Sequence, residues 1–370
     1  RAMDALIIIH PMRGVGFCQT VNYSSSSVTI RPMIRRLFLL LTLAVLLVSC
    51  GTPTLTEGVT PSSPAQPTPA ASATLAVPTD TPPPTPPPGL VLLAGAEVFP
   101  PEIQAASQSL AAESGWTLDT APTLEAANLL PQTRLIVWLG DPAQARSLAE
   151  AAPQVRVIAF HSAAVEPTDN LSWIVADANQ QAFLAGYLSM LVTDDWRSAG
   201  ILPGEPPALT EAFQNGGRYL CGRCIPLYSP IVEFPVAASL PAGAPASAVL
   251  DAIGELNRQY YLETLFIHPQ ISSPELLAQL VGQDYRYIGL QSPPPELKSQ
   301  WVATVTFDLA AALRLAWPAV DAESGGAIFT APLVLQDVNE DILTEGKLGL
   351  LTPVLQDLQN GLIYPLFIAP

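Results

Sequence analysis

The stretch from Asp177 to Val192, followed by Arg197 to Gly204, constrains the fold most, because it reads as one helix–turn–strand unit with a marked start. Asp177 can accept backbone N–H bonds as an N-cap, and Gln180 three residues on can reach back, a capping-box arrangement. Phe183, Leu184, Tyr187, Leu188 and Leu191 recur at helical spacing and give one broad apolar face. Ala182, Ala185, Gly186 and Ser189 are small, so a neighbouring element can come close. A polar turn (Thr193, Asp194, Asp195) then leads into a short apolar strand ending at Pro203-Gly204. A helix feeding a buried strand is the repeating unit of a parallel sheet.

The same alternation runs through the chain from Gly89 onward. Strands are expected at Leu90–Ala94, Leu135–Leu139, Val155–Phe160, Leu171–Val175, Ile231–Val236, Thr264–Ile267, Tyr285–Leu290 and Val302–Thr306. Helices are expected at Glu102–Ser114, Ala143–Ala152, Ala246–Asn257, Pro274–Val281, Asp308–Ala316 and Pro353–Gln359. Continuous apolar strands between amphipathic helices predict an α/β fold, with parallel sheets covered on both faces. There is no internal repeat of solenoid length.

The amino-terminal part reads differently. From Met33 a basic n-region, a short apolar run and Leu47-Val48-Ser49-Cys50 form a secretory signal at residues 33–49, too short and wrongly flanked for a membrane span. Leu47–Cys50 resembles a bacterial lipobox, which implies lipidation of Cys50 and attachment to the extracytoplasmic face of a bacterial membrane. Residues 1–32 lie upstream and read as a mis-annotated extension, with Met33 the expected start. Residues 50–88, rich in Pro, Thr, Ser and Ala, carry too little apolar surface to fold. They read as a disordered tether that could reach roughly 100 Å in polyproline form.

Charge narrows the partners. The full chain has 16 basic and 32 acidic residues; without the five arginines and one acid of residues 1–49, 11 and 31 remain, a net charge of −20. Such a surface repels phosphate backbones and anionic lipid, so nucleic acid is excluded and membrane contact is expected through the N-terminal lipid alone.

Several passages together resemble the basic membrane protein family, the substrate-binding lipoproteins of ABC importers. The passages are Gln180 to Leu188 with the Gly200-Ile-Leu-Pro-Gly204 strand; Ile136 to Phe160; Leu265-Phe-Ile-His-Pro269 with Tyr287-Ile-Gly-Leu-Gln291; Trp301 to Asp308; and Gly361-Leu-Ile-Tyr-Pro365. The resemblance implies a two-lobed type I periplasmic-binding-protein fold, each lobe a parallel sheet flanked by helices, with three crossovers. Mapped here, it implies a first lobe at 89–175 plus 300–323 and a second at 176–299 plus 324–370. The crossovers are then expected near Val175–Asp177, within Gln291–Gln300 and near Glu323–Gly326. It further implies a small polar ligand between the lobes, nucleoside-like in the best-understood members, and ABC permease subunits as partners.

In open parallel sheets ligands bind beyond the carboxyl ends of the strands. The polar or aromatic residues there are Phe99, Trp138, Asp141, His161, Asp177 and Thr306 on the first-lobe side, and Glu205, His268, Gln270 and Gln291 on the second. Asp141 and Asp177 also fit helix N-caps. The chain departs from the nucleoside-binding pattern at Gly95 to Glu102, His268 to Ser273, Gln291 and Thr306-Phe307, so that specificity is not expected to transfer; only Phe99 is left as a stacking aromatic.

Cys221-Gly-Arg-Cys224 is expected to close a local disulfide, although a redox pair, a metal site or free thiols also fit the spacing. A zinc site would need two further ligands, and only His161 and His268 remain. No hydrolase, phosphate-loop, zincin or dinucleotide motif is present. No catalysis, metal or cofactor is therefore expected. Two rival readings stay open: a sensor or surface lipoprotein with a degenerate pocket, and an extracytoplasmic thiol–disulfide oxidoreductase using Cys221 and Cys224.

Overall fold

Buried apolar strands and the helices between them dictate the architecture of this computed structural model, which describes residues 88–163, 165–318 and 326–366, all within one compact unit. The expected upstream extension, signal, lipidated Cys50 and tether lie outside the described residues up to residue 87. In chain order the first elements are β1 (Leu90–Ala94), α1 (Pro101–Glu113), β2 (Thr117–Ala121), β3 (Thr133–Trp138), α2 (Pro142–Ala151), β4 (Arg156–His161) and β5 (Leu171–Val175). Next come α3 (Ala178–Val192), β6 (Ser198–Pro203), α4 (Ala208–Cys221), β7 (Val236–Leu240), α5 (Ala246–Tyr260), β8 (Thr264–Ile267), α6 (Pro274–Leu280), β9 (Arg286–Gly289) and β10 (Trp301–Phe307). The chain ends with α7 (Leu309–Ala316), β11 (Ile328–Thr330), β12 (Leu333–Gln336) and α8 (Glu345–Gln359).

The strands form two six-stranded sheets, in the orders β11-β5-β4-β3-β1-β2 and β12-β10-β9-β8-β6-β7. Every pairing is parallel except β10 with β12. Strands such as β1, β5 and β6 are buried along their whole length because helices cover both faces. In the first lobe Ile103, Leu110, Leu313 and Trp317 of the α1–α7 side pack on Val91, Leu93, Leu135 and Val137. Ala145 and Leu148 of α2 pack with Leu92, Ile136 and Trp173 on the other face. In the second lobe α3, α4 and α8 cover one face around Phe183, Phe213, Phe266 and Leu351. There α5 and α6 cover the other face, around Ile253, Leu276, Leu265 and Tyr287.

The small residues of α3 are explained by α4. A Cβ on Gly186 would lie 1.8 Å from the Phe213 carbonyl oxygen, and one on Gly216 would lie 1.9 Å from the Phe183 carbonyl oxygen. The two backbones touch at reciprocal glycines. No helix is among those expected from the sequence at 208–221; the structure places Asn215-Gly216-Gly217 inside α4, with Cys221 as the last helical residue. Glycine's poor intrinsic helix propensity is outweighed by close packing.

Two element boundaries are corrected. The strand expected at 231–236 begins only at Val236, because Pro230 and Pro235 lack the N–H a ladder needs. The last helix starts at Glu345 and runs through Pro353; Leu348, Leu351, Val354, Leu355 and Leu358 hold its spaced apolar face to the core despite two glycines in its first turns.

The lobe limits also change. The first crossing follows β5 through Ala176-Asp177. The second, expected within 291–300, comes after β10, because β10 pairs with β9 and β12 in the second sheet. The absent side chain of Gly289 makes room for the Trp301 indole, which would lie 2.4 Å from a Cβ there. The third crossing, expected near 323–326, falls at Ala331-Pro332 between β11 and β12. Residues 300–307 therefore belong to the second lobe, and 326–330 to the first.

Candidate functional site

All three crossings leave the carboxyl end of a parallel strand: β5 into α3, β10 into α7, and β11 into β12. The carboxyl ends of both sheets therefore flank the crossings, and the loops beyond them border the space between the lobes. The crossings are braced to one another. Ala176 N–H donates to the His161 carbonyl at 2.8 Å, Ala331 N–H to Val175 at 2.8 Å, and Asp308 N–H to Pro332 at 2.8 Å. Gln181 Nε2 donates to the Val305 carbonyl at 2.7 Å. Phe307 packs against cores in both lobes. Gln180, expected to reach back to the cap, instead donates Nε2 to the Leu358 carbonyl at 3.4 Å, and its buried Oε1 has no partner among the described residues.

Several candidate residues are held by structural work at these strand ends. Trp138 is 2% exposed; its indole N–H donates to the Asp141 carbonyl at 3.0 Å, and its ring lies against Gly95 and Gly140. It belongs to the first-lobe core. Asp141 accepts from Ala143 N–H at 2.9 Å and caps α2. Asp177 accepts from Asn179 N–H at 2.9 Å and caps α3. Asp308, which sequence reading did not single out, caps α7 by accepting from Ala311 N–H at 2.8 Å.

His268 is buried beyond β8, its Nδ1 accepting from Gln270 N–H at 3.3 Å and its ring edge-on to Phe266. Burial pushes its pKa down to about 4, so the imidazole is neutral at ordinary pH. His161, half-buried at the end of β4, accepts from Ser162 N–H at 2.7 Å through Nδ1 and sits near Trp173. The two histidines lie on different sheets, and among the described residues no group of three or more His, Cys, Asp or Glu could hold a metal.

The remaining candidates are more open. Phe99 is half-buried against the first-lobe core in the loop after β1. Glu205 is exposed after β6. Thr306 is half-buried in β10, opposite Val334. Gln270 is exposed, its carbonyl accepting from Gly243 N–H at 2.8 Å. Gln291 borders a concavity of about 740 Å³ at the carboxyl ends of β8 and β9, with Ser272, Ser273, Leu277, Ser292 and Pro293. The three serines were missed by sequence reasoning; their position just past buried strands was the available signal.

Cys221 and Cys224 form a disulfide with Cα atoms 5.4 Å apart. It follows the C-terminal end of α4, where the helix dipole disfavours a thiolate, and Cys224 is 1% exposed. Both features are opposite to those that activate a redox pair.

Two parallel-dominated α/β sheets, each ordered about its first and third strands and linked by three crossings at the strands' carboxyl ends, define the two-lobed type I periplasmic-binding-protein class. The chain is similar in structure to an ABC transporter system solute-binding protein from Conexibacter woesei (TM-score 0.55, 15% identity, 75% of this chain and 98% of that one). It is similarly close to a transcriptional activator of the comK gene from Bacillus halodurans (TM-score 0.54, 12% identity, 75% and 99%). A third likeness is to an ABC transporter solute-binding protein from Aeropyrum pernix (TM-score 0.50, 14% identity, 77% and 94%). At these identities the likenesses define the fold and leave the ligand open. No protein-family model matches the chain, and no curated protein matches it in sequence.

Proposed function

We propose that this chain is a lipid-anchored extracytoplasmic solute-binding protein of an ABC importer, a divergent relative of the basic membrane protein family that captures a small polar ligand between its lobes. One observation carries the reading: the carboxyl ends of both sheets flank three short braced crossings, the geometry of a hinged cleft. The lipobox-like Leu47–Cys50 and the Pro-rich tether support anchoring, and permease subunits are the partners it implies. A nucleoside-like ligand rests on the family resemblance alone, and the altered loops at Gly95–Glu102 and His268–Ser273 weigh against it.

The test is a thermal-shift screen of the full chain against nucleosides, bases, sugars, amino acids and metal ions. A ligand at about 100 times its Kd adds about 2.7 kcal/mol to stability. Silence across the panel from a folded protein refutes ligand capture. Metabolic labelling with palmitate tests the anchor: wild type takes up label and Cys50→Ser does not; equal labelling sinks the lipid reading.

A second reading, a sensor or surface lipoprotein with a closed-down pocket, is favoured by a specific observation. Trp138, Asp141, Asp177 and His268 are engaged in core packing, capping and local hydrogen bonds. A folded chain without ligands, and without copurification of a permease, supports it.

A further inference from the structure

The charges of the described chain are sorted by strand end. The loops from the carboxyl ends of the parallel strands to the next helix or strand are 95–100, 122–125, 139–141, 162–170, 176–177, 204–207, 241–245, 268–273, 290–294, 308 and 331–332. None contains Lys or Arg, and together they hold Glu97, Glu125, Asp141, Glu166, Asp169, Asp177, Glu205 and Asp308. The eleven basic residues all lie elsewhere. Arg134, Arg156, Arg197, Arg286 and Lys298 sit at or just before the amino ends of strands; the other six are on helices or, for Arg223, just past one.

Helix dipoles act in the opposite sense and must be weighed. Helices α1 to α7 all begin at strand carboxyl ends, and exposed N-terminal N–H groups there would favour anions. Six of the seven are already answered by the chain's own acids. Asp141, Asp177 and Asp308 cap α2, α3 and α7, and Glu102, Glu211 and Glu275 lie in the first turns of α1, α4 and α6. Side chains cap α2, α3, α6 and α7, and the first-turn acids offset the dipoles of α1, α4 and α6, whereas α1, α4 and α5 have no side-chain cap.

Glu125, Glu166 and Asp169 lie in the first lobe's strand-to-strand loops after β2 and β4, and two further carboxylates are left over in loops that lead into a helix. Glu97 and Glu205 are exposed and have no hydrogen-bond or ion-pair partner among the described residues. They occupy matching places: β1 and β6 are both fifth in their sheet orders, and each loop runs Gly, Glu, then Pro-Pro into the next helix. Each lobe thus contributes an uncompensated negative charge at this matching place beside the cleft.

We infer that the cleft selects against anions, with Glu97 and Glu205 setting the discrimination, so its ligand class is a small molecule free of phosphate and carboxylate. This rests on the solute-binding reading above and narrows it. A low-dielectric cleft between lobes strengthens the repulsion, whereas the same charges on an open surface would be screened.

The experiment measures binding by the full chain of charge-matched sets: glucose, glucosamine and a glucose phosphate; adenosine and adenosine monophosphate; putrescine and succinate. In any set that binds, the anionic member is expected to be about tenfold weaker or worse, with the gap narrowing in molar salt. The Glu97→Gln/Glu205→Gln double variant narrows the gap, whereas Glu150→Gln/Glu340→Gln, an equal change in net charge away from these loops, leaves it. An anionic member binding tightest overturns the inference while leaving solute binding intact. A gap that the two double variants change equally overturns the assignment to Glu97 and Glu205. No binding in any set refutes solute capture itself, and this inference falls with it.

Discussion

Substituting Ala for Gly should have opposite signs at two helical positions, and the difference can be worked from the backbone. Helix propensity alone favours Ala over Gly by about 1 kcal/mol at either site. At Gly254 in α5 nothing lies within 4 Å of the added Cβ, so Gly254→Ala is expected to stabilise by about 0.5–1 kcal/mol. At Gly186 the Cβ would lie 1.8 Å from the Phe213 carbonyl oxygen. An ordinary C···O contact is about 3.3 Å, so α3 and α4 must separate by about 1.5 Å. No rotamer change relieves a clash with backbone, and separation loosens the Phe183–Tyr219 and Tyr187–Tyr219 contacts between these helices. Overpacking of this kind costs about 3 kcal/mol, which outweighs the propensity gain. The assay is urea unfolding followed by far-UV circular dichroism, with both variants beside wild type. If Gly186→Ala is as stable as wild type, the reciprocal glycine contact does not set the spacing of these helices. If Gly254→Ala destabilises as much as Gly186→Ala, the space argument fails.

Three further outcomes follow from other parts of the fold. His268, held neutral with a pKa of about 4 against about 6.5 when unfolded, makes the unfolded chain bind more protons between those values. Its contribution to stability is complete above pH 6.5 and is lost as pH falls toward 4; an NMR titration placing its pKa near 6.5 in the folded protein would contradict this. Replacing Cys221 and Cys224 together by Ser should cost about 2 kcal/mol, as expected for closing so short a loop, with the buried Cys224 position adding to it; an unchanged unfolding midpoint would show that the disulfide does not constrain the chain. Phe307→Ala should lower stability by about 2–3 kcal/mol, because the ring packs on cores of both lobes, and a loss below 0.5 kcal/mol in chemical unfolding would mean it is not part of the hinge packing.

The α/β alternation was legible because it is written in local composition. Leu90–Ala94, Leu171–Val175 and Thr264–Ile267 were placed to the residue, since a short, mostly apolar run bounded by Gly, Pro or polar residues has few other uses. What was illegible depended on partners distant in the chain. Helix α4 carries Asn215-Gly216-Gly217, which reads as a break until α3 is seen lying against it at Gly186. Strand β10 is apolar enough for either sheet, and only its pairing with β9 assigns it to the second lobe. The polar β2, Thr117–Ala121, is an exposed edge strand with no core-facing run to announce it.

The candidate site was less legible than the fold for a chemical reason. An aspartate just past a strand end satisfies helix N–H groups and suits a polar ligand equally well, and one sequence cannot separate the two uses. Coordinates separate them by showing which oxygens are already occupied: Asp141, Asp177 and Asp308 each accept from the helix that follows. The caps also bear on function, because a carboxylate at a helix start removes a ready place for an anion. The same side chains that make the crossings rigid therefore help set the charge of what can enter between the lobes, and stability and selectivity become coupled at one ring of residues. An Asp177→Asn change retains the capping oxygen and removes the charge, so any shift it makes in ligand charge preference, at unchanged stability, measures the electrostatic share alone.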